Sequence, residues 1–124
     1  MSDAVRGQSS EPVNPVQVEK AIREIANEIA KGVRSVSESL AEFRRLEREY
    51  DRAFAQAYMR HSGAAHAKRY AAELATQIER EARDTGEVVW KYAATQSRAL
   101  ELELSAYQSI ARSVNGMFGA AGSG

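Results

Sequence analysis

The sequence predicts an all-α protein: an antiparallel hairpin of two long, coiled-coil-like helices. Three observations carry this. The apolar set is dominated by alanine and joined by leucine, glutamate and arginine, all strong helix formers, with only 9 aromatic residues in 124. Proline occurs only at Pro12 and Pro15. No Val/Ile/Thr-rich run bounded by turn residues offers a strand, whereas apolar residues recur at helical spacing over most of the chain.

Residues 1–14 are polar, with Gly7, Ser9, Ser10 and Pro12, and are expected to form a disordered tail. Asn14 before Pro15 is a helix start, with Asn as N-cap and Pro at the first helical position. From there one heptad row runs Ile22, Ile29, Val36, Phe43, Tyr50, Ala57 and a companion row runs Val18, Ile25, Gly32, Ser39, Leu46, Ala53. Val33, Leu40 and Phe54 widen the stripe where Gly32 and Ser39 weaken it. The first helix therefore covers roughly residues 15–61.

The stretch Arg60-His61-Ser62-Gly63 ends it. A glycine just past a helix terminus takes the left-handed conformation that closes it, and Ser62 is a candidate cap for the second helix. The turn is expected near 61–65, and so short a connection implies antiparallel neighbours. The second helix is expected over roughly 64–116 on an 11-residue repeat. Its rows are Ala67, Ile78, Val89, Leu100, Ala111; then Ala71, Ala82, Ala93, Leu104; then Leu74, Thr85, Gln96, Tyr107, Phe118. Gly32 and Asp84-Thr85-Gly86-Glu87 are the candidate breaks, and the unbroken phase of the stripe across Gly86 favours a continuous helix. Residues 117–124, rich in glycine, are expected to be a flexible C-terminal tail. Ile22, Ile29, Phe43, Leu74, Ile78, Val89 and Leu100 are the expected seam. Two long helices with one alanine-rich seam bury little area, so the remaining apolar surface is expected to meet another copy or a protein partner. Trp90, Tyr92, Leu102 and Ile110 are the candidate self-association or partner residues.

The formal charge is zero, with 17 basic and 17 acidic residues. Resolved along the chain it is −2 over residues 1–43, +4 over 44–69 and −2 over 70–124. The excess at the hairpin tip comes from Arg44, Arg45, Arg48, Arg52, Arg60, Lys68 and Arg69. Arg44, Arg48 and Arg52 share one helix face. The first expectation is a solvated face paired to Glu47, Glu49 and Asp51; the alternative is a tip that contacts phosphates, so DNA remains a candidate partner.

Chemistry is not expected. There is no cysteine, no Gly-rich phosphate loop, no HExxH and no nucleophile elbow. His61 and His66 lie five apart across Gly63, without helical ligand spacing. Neither an enzyme activity, a small-molecule substrate, a cofactor nor a metal is therefore expected. The tyrosines at 50, 58, 70, 92 and 107 are expected at the seam rather than stacked on bases. No run of residues is apolar enough for a membrane span, and Met1–Ser10 lacks an apolar signal core, so a cytoplasmic protein without membrane association is expected.

Secreted WXG-type hairpins share the size, but Ser62-Gly63-Ala64 stands where their Trp-x-Gly turn would be, and Tyr107 is followed four residues later by Ala111. The stretches EYDRAFAQAYMRHSGAAHAKRYAAELATQIEREA (Glu49–Ala82) and WKYAATQSRALELELSAYQSIARSVNGMFGAAG (Trp90–Gly122) resemble small helical proteins of tailed actinobacterial phages. The markers of this likeness are Asp51, Ala57-Tyr58, Gly63, Ala72-Glu73-Leu74-Ala75-Thr76, Arg98-Ala99-Leu100-Glu101 and Gln108-Ser109-Ile110, and it covers roughly 70 of the 124 residues. The resemblance implies a phage-encoded protein of the bacterial cytoplasm, from a gene region for DNA replication and recombination, and it supplies no catalytic residue. The leading expectation is a non-enzymatic interaction or scaffold protein. The alternatives are a nucleic-acid-binding accessory protein using the basic tip and an inhibitor of a host protein.

Overall fold

The computed structural model describes residues 14–123, with side chains through Met117. The expected N-terminal tail lies outside the described residues up to position 13, as do Gly124 and the side chain of Phe118. The described residues form three helices and no strand: α1 (Pro15–Arg60), α2 (Ala65–Ala75) and α3 (Gln77–Ser123).

The start of α1 follows from two residues. Asn14 Oδ1 accepts a hydrogen bond from the Gln17 amide at 2.9 Å, satisfying one of the amides a helix leaves unpaired at its N-terminus. Pro15 takes the first helical position, where no amide is needed. The helix then passes through Gly32 without a break. Every residue of both heptad rows of α1 is buried or half-buried, with Val18, Ile25 and Phe43 the most enclosed.

Gly63 has φ +123°, a backbone conformation open to glycine and strained for other residues. Ser62 does not cap the next helix. Ala64 holds the N-cap position of α2 without a side-chain bond.

The second helical stretch departs from expectation in three ways. It is interrupted at Thr76, although it runs on through Gly86 as the phase of the stripe favours. Thr76 sits at φ −118°, ψ 24°, and its buried hydroxyl donates to the Ala72 carbonyl at 2.7 Å. Ser39 and Thr95 make the same bond to the carbonyl four residues back inside unbroken helices, so the bond accompanies the interruption without being its sole cause. Secondly, α3 continues past Gly116 to Ser123 instead of ending near 116. Thirdly, Leu74, Ile78 and Val89 are not in the seam: they are 70%, 79% and 53% exposed.

The chain divides into two compact units. In residues 31–97, α1 packs on α2 and α3 through contacts that step in opposite directions along the two segments. Lys68 lies over the Tyr58 ring, Arg83 over Tyr50, Gly86 against Phe43 and Leu46, and Trp90 against Phe43. The Phe43 and Trp90 rings stack 5.8 Å apart with planes 8° from parallel. Tyr50, Phe54 and Tyr58 continue the aromatic row along α1. The opposing surface is made of small groups: Ala72 and Thr76 are buried, and so is Gly86. In the other unit, residues 14–30 with 98–123, Val18 and Ile25 are buried and Ile22 shares a shallow groove with Ala111.

At Gly86 the helix comes close to α1. A Cβ built there would stand 2.8 Å from Leu46 Cδ1 and 3.4 Å from the Phe43 Cα. The first neighbour is a movable methyl group and the second is backbone. Gly86→Ala should change stability by no more than about 1 kcal/mol, because helix propensity gained offsets a shifted Leu46 rotamer. Gly86→Leu must push the helices apart and should cost about 1–3 kcal/mol, read as a melting temperature lower by roughly 4–8 °C for each kcal/mol. Thr76→Val removes the buried hydroxyl that donates to the Ala72 carbonyl and should cost about 1 kcal/mol in urea unfolding.

Candidate interaction surface

The seam of residues 31–97 uses one face of α2 and α3, and a second apolar face is left bare. On α3, Ile78, Val88 and Tyr92 follow one another with Glu81 and Thr85 between them at spacings of four and three, and Leu74 stands near the end of α2, across the interruption at Thr76. That is the spacing of a helix-packing stripe. Val88 and Tyr92 are 66% and 65% exposed. Ala75, Ala82, Val89 and Gln96 widen the stripe on its flank toward α1. Glu81 is the only charged residue in this set.

Where the stripe meets α1 there is a groove of about 680 Å³. It is lined by the small residues Ser35, Ser39, Ala82 and Gly86 and by the apolar Leu46, Ile78 and Val89. Glu38, Glu42 and Glu81 stand along it. The Ser39 hydroxyl is turned inward on its own helix, donating to the Ser35 and Val36 carbonyls. The groove therefore offers shape and apolar surface more than hydrogen bonding.

The expected partner residues separate. Trp90 is drawn into the seam by its stack on Phe43 and is half-buried. Tyr92 lies on the bare stripe, and its hydroxyl accepts a bond from the Gln96 side chain at 2.7 Å. Leu102 and Ile110 are exposed in the other unit. Among the tyrosines, Tyr50, Tyr58 and Tyr107 are half-buried, whereas Tyr70 and Tyr92 are exposed. Leu74 and Ile78, which periodicity assigns to the seam, are central to this surface instead. Their exposure is signalled only by what α1 already places opposite them.

The basic tip divides as well. Arg44 pairs with Glu47 at 3.0 Å, and Arg45 bridges Glu42 and Glu49 at 2.5 Å each. The Arg45 guanidinium holds the Glu42 carboxyl below its ordinary pKa, chiefly through their hydrogen bond. Arg48, Arg52, Arg60, Lys68 and Arg69 form no ion pair among the described residues. Lys68 and Arg69 each lie 5.5 Å from a tyrosine ring centre, over Tyr58 and Tyr70. His61 and His66 are both exposed at the turn. No group of three or more metal-ligating side chains occurs among the described residues, and no described helix is long and apolar enough to cross a membrane.

No family model, curated protein or solved structure matches the chain.

Proposed function

We propose that the chain is a non-enzymatic helical interaction module. In this reading α1 and the α2–α3 segment pair as an antiparallel hairpin, and the bare face of α2–α3 is covered by protein, with self-association as its basic activity. The observation that carries it is the exposure of Leu74, Ile78, Val88 and Tyr92 on one stripe. A helix apolar on opposite faces is one that is buried on both, and contiguous apolar patches on a soluble surface mark contact sites. The resemblance to phage proteins would set such a module among proteins of phage DNA replication or recombination. Light scattering on the full chain at about 50 µM, a range in which modest helix–helix contacts are populated, should give a mass above the 13.6 kDa monomer. The variant Ile78→Glu with Tyr92→Glu should return to monomer mass with its circular dichroism helix signal intact. A monomeric wild type overturns the self-association reading.

A second reading rests on the five tip cations without a carboxylate partner, which leave charge free for a polyanion. It makes the chain a nucleic-acid-binding accessory protein, with Arg48, Arg52 and Arg69 on phosphates. Fluorescence anisotropy with a labelled single strand should then show binding that falls by an order of magnitude or more between about 50 and 200 mM salt. Replacing these three arginines by glutamate should abolish it. Absence of binding by the wild type at the lower salt ends this reading.

A further inference from the structure

Among the apolar residues of residues 31–97, those of the bare stripe have an order that constrains their occupant. In chain order the stripe is Leu74, Ile78, Glu81, Thr85, Val88, Tyr92. Two large apolar residues are followed by a carboxylate, then a hydroxyl, then two large apolar residues. Turned end for end, it meets itself apolar to apolar and acceptor to donor. An isologous two-fold contact requires this property, because each patch must be complementary to its own copy.

Resting on the self-association reading, we propose that two copies pair antiparallel through this stripe, with the two-fold axis at the level of Arg83 along the helix. Leu74 of each copy then meets Tyr92 of the other, and Ile78 meets Val88. These four layers enclose a polar centre in which the Glu81 carboxylate accepts a hydrogen bond from the Thr85 hydroxyl of the second copy, twice by symmetry. Both groups are free for it. Glu81 and Thr85 are exposed, Glu81 forms no ion pair, and the Thr85 hydroxyl forms no hydrogen bond among the described residues. The threonines at 76 and 95 instead turn their hydroxyls onto their own helix.

A polar layer inside an apolar helix contact is a known way to hold one register against its neighbours. A shift by one heptad would bring Glu81 against Ile78 or Tyr92 of the second copy and take it away from the Thr85 donor. On the flank toward α1 the same axis brings Ala82 beside its own copy, where a small side chain lets the helices approach. Leu74, Ile78, Val88 and Tyr92 leave 70%, 79%, 66% and 65% of their surface exposed, apolar area available toward the roughly 800 Å² per partner that a stable interface takes. A second copy therefore suits the area, the order of side chains and the polar centre together.

The chain lacks cysteine, so single cysteines report the arrangement directly. Ala82→Cys and Thr95→Cys are made separately in the full chain and treated with a short bis-maleimide, with mass measured in parallel. Position 82 lies beside the axis and should give covalent dimer in high yield. The two copies of position 95 would stand about 36 Å apart along the helices at 1.5 Å per residue, so Thr95→Cys should stay uncrosslinked. Crosslinking of Thr95→Cys would mean parallel pairing and overturns the proposal. An associated protein in which neither variant crosslinks overturns it too, by placing the contact on another face, while leaving the self-association reading standing. A wild type of monomer mass removes both.

Discussion

The close approach of α3 to α1 at Gly86 governs most of the packing in residues 31–97. The α1 side of the seam is bulky, with Phe43, Leu46 and Tyr50 in succession. Two helices can approach closely only where large side chains of one face small ones of the other. The α2–α3 segment meets this with Ala72, Thr76 and Gly86, and Trp90 enters only by lying flat on Phe43. A Cβ at position 86 would already touch Leu46. The face of α2–α3 that packs on α1 is therefore its small-residue face.

The large apolar residues of that segment are displaced by the same constraint. Leu74, Ile78, Val88 and Tyr92 are left exposed, with Ile78 at the edge of the groove beside α1. They form a surface with a single charge at its centre, while the opposite flank carries Arg80, Glu87 and Lys91. A solvated helix distributes charge over its exposed positions. The uneven distribution here separates a charged face from an apolar one, and that contrast is what the proposed self-association rests on.

The interruption at Thr76 belongs to the same arrangement. Ala72 and Thr76 are both buried, and a polar hydroxyl at so enclosed a place needs a partner. The Ala72 carbonyl supplies it within the same helix. Glycines at 32 and 86, by contrast, remain helical. At Gly86 the missing side chain lets a neighbour approach, and that packing holds the helix. Local propensity marks both glycines as weak points, and at Gly86 the contact with Leu46 and Phe43 lies on the unbroken helix.

Much of α1 is legible in the sequence. Asn14-Pro15 marks its start, Gly63 its end, and both heptad rows are the enclosed ones. A helix with one apolar stripe has one way to turn when it packs, so periodicity alone decides its orientation. The α2–α3 segment has apolar or small residues on two sides. Periodicity shows that both exist and is silent on which one meets α1. Assigning Leu74, Ile78 and Val89 to the seam follows the usual preference for burying bulk, and all three are exposed instead. The sequence by itself determined an all-helical chain, the ends of α1 and the distribution of charge around the turn. Only the tertiary structure decided which face of α3 is covered, because that choice depends on the volume already filled by Phe43, Leu46 and Tyr50 on the other helix.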